Sequence, residues 1–228
     1  MTLARATTFM AAIGGAAFAA LMFDARPLVA AQIQPSIFNS VEIRKEGLKP
    51  FPKWTGALEK YFNERQNVQG GCEDPEFNRC HYKKWRTLID SLAGKDIKAQ
   101  LRAINKHMNR HKYIVDPVNW GVRDYWESPA EFFRKYGDCE DYAIAKYLSL
   151  RWLGLSTEVM RIFIVMDMNL KVAHAVLAVY DAGKVYILDN QLSIVVEAKR
   201  IHHYKPIFSV NETGWWKHRT ETKKRKRQ

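Results

Sequence analysis

Gly137-Asp138-Cys139-Glu140-Asp141 sets a thiol among three carboxylic acids, and His174 and Asp189 follow 35 and 50 residues after the cysteine. Cysteine attacks as its thiolate, and neighbouring carboxylates disfavour that form, so a reactive cysteine here needs compensation. A helix N-terminus, a nearby imidazolium or a metal ion that neutralises the acids would each supply it. With such help the three residue types divide one reaction among them. Cys139 attacks a carbonyl, His174 takes the thiol proton and later protonates the leaving amine, and Asp189 fixes the imidazole tautomer and stabilises its cation. The backbone N–H of Cys139, at a helix start, is a natural oxyanion donor. Spacing alone also admits a simpler reading: a core histidine, and a capped helix that happens to carry a cysteine.

Positioning these groups falls to the surrounding elements. Asp138 caps a helix whose first three residues are Cys139, Glu140 and Asp141, with Asp141 placed to complete the cap. Ala143, Ile144, Tyr147, Leu148 and Leu150 form its apolar face, and Gly154 ends it. Ser128-Pro129-Ala130-Glu131 starts a shorter helix just before. Upstream, Trp54 to Arg65, Tyr82 to Leu92 and residues 96–111 carry helical apolar spacing, after an extended lead-in over 37–52. Downstream the period changes. Val159 to Met166, Val172 to Tyr180 and Val185 to Asp189 read as strands, the last two joined by the turn Asp181-Ala182-Gly183-Lys184. Helices followed by an antiparallel sheet make an α+β domain. With Asp181-Ala182 or Ala182-Gly183 as the loop, His174 and Asp189 fall opposite or diagonal on one face of the hairpin. Directly opposite Cβ atoms lie about 4.5–5.5 Å apart. A helix packed on that face would bring Cys139 toward His174.

The chain ends read differently. Arg5, the apolar run Thr8 to Phe23 and the small residues Val29-Ala30-Ala31 predict a signal peptide over 1–31, with an uncleaved anchor as the alternative. Residues 32–216 read as one domain. Lys217, Arg219 and the run Lys223 to Arg227, against Glu221, hold half of the formal charge of +12. The basicity is therefore largely a property of a tail, 217–228, expected to be disordered. No aromatic residue follows Trp216 to stack on bases, so nucleic acid is not an expected partner. In an oxidising compartment Cys72 and Cys80 could close a small disulfide loop, leaving Cys139 free; two unpaired thiols are the alternative, and His81 alone is a weak zinc ligand.

Asp124 to Phe132, Gly137-Asp138-Cys139-Glu140-Asp141-Tyr142-Ala143-Ile144-Ala145-Lys146-Tyr147, His174-Ala175-Val176-Leu177, Leu188-Asp189-Asn190, Tyr204-Lys205-Pro206 and Ser209-Val210-Asn211 together resemble the bacterial transglutaminase-like cysteine proteinases. The resemblance spans about residues 50–210. It implies a papain-like or transglutaminase-like core with Cys139, His174 and Asp189 as a catalytic triad. It further implies a calcium ion held by Asp138, Glu140 and Asp141, consistent with hard carboxylate oxygens. Periplasmic members of the family release a biofilm adhesin from the cell surface by cutting at paired small residues. An adhesin-type protein substrate, periplasmic location and an inhibitory inner-membrane receptor follow by resemblance, with Trp54 helping to dock that receptor or simply packing in the core. Trp120, Tyr125 and Trp126 would wall the cleft or fill the core, and Asn190 would orient Asp189 or end a strand. A transglutaminase or amidase using the same thioester, and a binding module without activity, are the rival functions.

Overall fold

Residues 36–67 and 79–220 are described by the computed structural model. The expected signal peptide, the Cys72–Cys80 pairing and residues 221–228 lie outside them. Among the described residues no helix is long and apolar enough to cross a membrane. The chain starts with strand β1 (Ser40–Glu46) and continues through helices α1 (Pro52–Asn67), α2 (Arg79–Leu92), α3 (Ile97–Met108), the single turn α4 (Asp116–Asn119), α5 (Pro129–Lys135) and α6 (Cys139–Trp152). Strands β2 (Met160–Asp167), β3 (Val172–Asp181), β4 (Lys184–Leu188), β5 (Val196–Glu197), β6 (Tyr204–Val210) and β7 (Gly214–Thr220) follow. They form one antiparallel sheet in the order β1-β7-β6-β2-β3-β4-β5. The expected α+β architecture, with helices packed on an antiparallel sheet and Cys139 at a helix start, is what the chain adopts.

Alternation along the strands divides the apolar residues between two cores. Met160, Ile162, Ala175, Leu177, Val179 and Leu188 face the helices, where Trp54, Trp85, Phe132, Phe133 and Tyr147 are buried. Phe163, Val165, Val176, Ala178, Val185 and Ile187 face the other way, under Ile37, Ala198 and Ile201. The indoles that enter the first core find acceptors: Trp54 Nε1 donates to the Asn211 carbonyl at 2.9 Å and Trp85 Nε1 to Ser149 Oγ at 2.7 Å. Ala182 and Gly183, at φ 47° and 75°, form the two-residue loop of the β3–β4 hairpin, the backbone signs such a tight turn requires.

Two expectations need correction. Residues 217–220 are not tail but the second half of β7, which pairs with β1 along its length. The reason is local: His218 is buried between Ser40 Oγ (3.0 Å) and Ser209 Oγ (2.9 Å), so the alternating Lys217 and Arg219 are strand residues. Trp54, implied as a docking residue, is wholly buried with its ring edge-on to Tyr147, 5.3 Å between centroids, and has no surface to offer a partner.

Candidate active site

Asp141 anchors the start of α6. Its Oδ2 accepts from Asp138 N–H at 2.9 Å, and its Oδ1 from Glu127 N–H at 2.8 Å, tying the end of the preceding segment to the new helix. Gly137 makes this possible, because a Cβ there would stand 2.2 Å from Asp141 Oδ2. The same glycine accepts from Ile114 N–H at 2.9 Å. α5, one turn upstream, is held by a reciprocal cap between Ser128 and Glu131.

Beyond the pair Leu177–Leu188, β4 no longer accompanies β3. Cys139 packs at the edge of the helix-side core, to which β3 contributes Ala175, and the Ala175 backbone works against the rise in the thiol pKa. His174 lies one residue away, buried, its Nε2 2.9 Å from Asp189 Oδ1. His174 and Asp189 lie beyond the last pair of the ladder, Leu177–Leu188; extending that register sets them diagonal. The helix, however, does not pack on their face. α6 lies against Ala175, Leu177 and Val179, whereas His174 alternates with Val176 and Ala178 on the other side. Cys139 packs against the helix-side core.

Asp189 is the most heavily bonded of the three. Besides His174, its Oδ1 accepts from Gln191 N–H at 2.8 Å and its Oδ2 from the Tyr204 hydroxyl at 2.6 Å. Burial pushes its carboxyl pKa up, but these donors and the His174 charge outweigh that and hold it below the usual value. An ionised Asp189 leaves the hydrogen on His174 Nε2 and the lone pair on Nδ1, which lies 3.5 Å from Gln191 Nε2. Tyr204 and Gln191 escaped the sequence reading, which had looked to Asn190; the Asn190 Oδ1 is buried with no hydrogen-bond partner. Tyr204 was visible only within the Tyr204-Lys205-Pro206 motif.

The thiol itself donates to Glu140 Oε2 at 3.1 Å. Burial, then the charges of Glu140 and Asp138, push its pKa well above the ordinary thiol value. The acids crowd one another as well. Ligand atoms of Asp138, Cys139 and Glu140 lie within 4.8 Å of one another, as do those of Asp116, Asp138 and Asp141, and of Asp116, Asp124 and Glu140. Burial and the neighbouring Asp138 raise Glu140 to about 9, and burial with Glu127 and Glu140 raises Asp141 far above the carboxylate range. Asp116 Oδ1 and Asp138 Oδ1 are buried without hydrogen-bond partners. Oxygen donors with unshared acceptor sites and mutually repelling charge fit a hard dication. The sequence-derived set Asp138, Glu140 and Asp141 is thus brought together and enlarged by Asp116, which no spacing rule links to position 138. Trp120 and Tyr125 bond to other carboxylates, Trp120 Nε1 donating to Glu127 Oε1 (2.5 Å) and Tyr125 Oη to Glu131 Oε1 (2.7 Å), while Trp126 is core.

A helix-borne cysteine beside an antiparallel sheet that carries a histidine–carboxylate pair defines a transglutaminase-like thiol enzyme, and comparison agrees. The chain belongs to the bacterial transglutaminase-like cysteine proteinases, whose family model matches residues 67–224. Among solved structures it is similar to calcium-bound LapG of Legionella pneumophila, with 36% identity and a TM-score of 0.58 over 70% of this chain and 87% of that one. EGTA-treated LapG from the same organism gives 36% identity and a TM-score of 0.59 over 72% and 87%. No curated protein matches the chain. The protein is therefore a cysteine peptidase of this family.

Proposed function

We propose that the protein is an exported, calcium-dependent cysteine endopeptidase of the periplasm that cuts a surface-adhesin type of protein in biofilm control. The observation that carries the catalytic part is the hydrogen-bonded chain Tyr204–Asp189–His174, with His174 on the strand against which α6, the helix that begins at Cys139, is packed.

In this reading the Cys139 thiol leaves Glu140 and gives its proton to His174 Nδ1, the nitrogen not engaged by Asp189. The thiolate attacks the peptide carbonyl, and the oxyanion is met by the Cys139 N–H at the start of α6. His174 then protonates the departing amine, leaving a thioester. Water, losing a proton to His174, attacks the thioester, and the thiolate departs as the product acid forms. Asp189 keeps the imidazole in one tautomer throughout. Asp116, Asp138 and Glu140, with Asp141 behind them, are the residues that would hold calcium. Bound there, the ion would offset the negative charge that opposes thiolate formation.

Two features support calcium: the unpartnered buried oxygens of Asp116 and Asp138, and the calcium-bound and EGTA-treated forms of LapG. An inhibitory membrane receptor remains part of the proposal by family resemblance alone, with Trp54 set aside as its contact. Cys139→Ala should abolish cleavage of a protein substrate while circular dichroism stays that of the wild type. Proteolysis that survives this change would falsify the mechanism. Incorporation of a labelled primary amine into a glutamine-bearing acceptor would instead point to acyl transfer.

A further inference from the structure

Ala173, Met166 and Lys205 stand directly opposite one another across β3, β2 and β6. Alternation along the strands fixes the face they share. Ala175 and Ile164, the next residues on that face of β3 and β2, pack with the helix-side core, so Ala173 and Met166 point to the same side. Lys205, paired with Met166, faces that way too. The inner row Ala175–Ile164–Phe208 is covered, Phe208 lying against Phe51 of the helix-side core with 4.9 Å between ring centroids. On the outer row the cover is gone: Ala173 and Lys205 are exposed and Met166 is half-buried. α6, the helix packed on β3, begins only at Cys139. The sheet is thus left with a bare shelf that runs across β3, β2 and β6.

Both ends of this shelf are chain neighbours of the catalytic groups. Ala173 precedes His174, and Lys205 follows Tyr204, whose hydroxyl donates to Asp189 at 2.6 Å. His174 and Tyr204 point to one face of the sheet, and Ala173 and Lys205 to the other, where α6 lies and Cys139 packs. Lys205 enters no ion pair or side-chain hydrogen bond among the described residues. The acids at this end of the strands are engaged elsewhere. Asp167, paired with Tyr204, is buried, and its Oδ1 accepts from the N–H groups of Asn169 and Leu170 at 2.8 and 3.1 Å. Asp189 is taken up by His174, Gln191 and Tyr204. An exposed lysine elsewhere is an ordinary surface charge; this one ends a row that starts beside the catalytic histidine.

We propose that this shelf carries the substrate polypeptide on one side of the scissile bond, and that Lys205 selects an acidic side chain there. This rests on the endopeptidase reading above. Ala173, with a single methyl group, lets the substrate main chain lie close to the strand beside His174. Met166 offers it an adaptable apolar floor. Two strand spacings, about 10 Å, separate Ala173 from Lys205. An extended chain covers that distance in about three residues. The acidic residue therefore falls about three positions from the one that lies over Ala173.

The test uses the full chain with calcium present and fluorogenic peptides containing two consecutive alanines, with aspartate, serine or lysine set singly at each flanking position. Wild type should prefer aspartate to lysine at one position, about three residues from the alanine pair, by about 2- to 5-fold in kcat/KM, the scale of an exposed ion pair. Added salt should shrink that ratio. Lys205→Glu should reverse the order at the same position; should it fail to fold, Lys205→Gln should flatten it. Ala173→Leu should raise KM across the set by about fivefold or more, the low end of an overpacking penalty, with Tm near wild type because the position is exposed. Binding of the same peptides to Cys139→Ala, with and without Lys205→Glu, followed by fluorescence anisotropy, reads the shelf without the chemistry. Absence of an aspartate preference in both assays overturns the proposal. So does a preference that Lys205→Glu leaves unaltered, or an unchanged KM in Ala173→Leu. Cleavage that survives Cys139→Ala removes the endopeptidase reading itself, whereas an inactive Cys139→Ala beside a charge-blind wild type removes only the shelf.

Discussion

Asp189 accepts three hydrogen bonds through its side chain and a fourth through its carbonyl, and each donor comes from a different part of the chain. Asp189→Asn would keep the shape but place an amide against His174, favouring the wrong tautomer, so kcat should fall by roughly 10³- to 10⁴-fold with the fold retained. Single-turnover kinetics with excess enzyme would check this, and a loss below tenfold would exclude the orienting role. Tyr204→Phe removes one donor and leaves the pair with His174; a loss of about tenfold is expected in the same assay. The His174–Asp189 pairing could be foreseen from the hairpin because β-pairing is periodic and the loop is short. Tyr204 could not, because β6 reaches Asp189 only through sheet order.

At the scale of elements, the α5–α6 junction is the part most tightly specified. Gly137→Ala would drive Asp141 from the backbone N–H groups of Asp138 and Glu127, at a cost of about 2–4 kcal/mol from lost capping and overpacking combined. A thermal melt should record it, and an unchanged Tm would mean that the Asp141 clamp does not support α6. At the start of α5, Glu64 of α1 accepts from Ser128 Oγ and, at 3.4 Å, from Ala130 N–H. Burial raises its pKa to about 7 even though these bonds lower it. A carboxyl raised above its unfolded value of about 4.3 binds its proton more tightly in the folded state, so it destabilises the fold progressively as pH rises from about 4 to 7. Glu64→Gln should therefore raise Tm more at pH 8 than at pH 5. Equal gains at the two pH values would show that Glu64 does not carry the charge. Helix starts at Ser128 and Asp138 were readable from the sequence because a cap is completed within three residues. The choice of sheet face for α6 was not, since alternation says which residues share a face but not which face a helix covers.

For the whole molecule, the first strand joins the sheet beside the last, leaving β1 and β5 as its edges, and the acids of three separate segments gather beside Cys139. In the calcium reading, ion binding relieves that repulsion only in the folded state. Calcium at about 100 times Kd should add roughly 2.7 kcal/mol, or about 5–10 °C in Tm, and a chelator should reverse it. A Tm indifferent to both would remove the ion from the proposal. By itself the sequence determined the nucleophile's helix, its cap, the hairpin that pairs His174 with Asp189, and the α+β order of elements. All of these rest on hydrogen bonds or periodicities spanning a few residues. Tertiary structure alone decided that α6 packs on the face of β3 opposite His174, that Asp116 joins Asp138, that Tyr204 holds Asp189, that Trp54 is core, and that Lys217 to Thr220 complete a strand. Those contacts join residues far apart in the chain, and only the packing of helices and sheet brings them within reach.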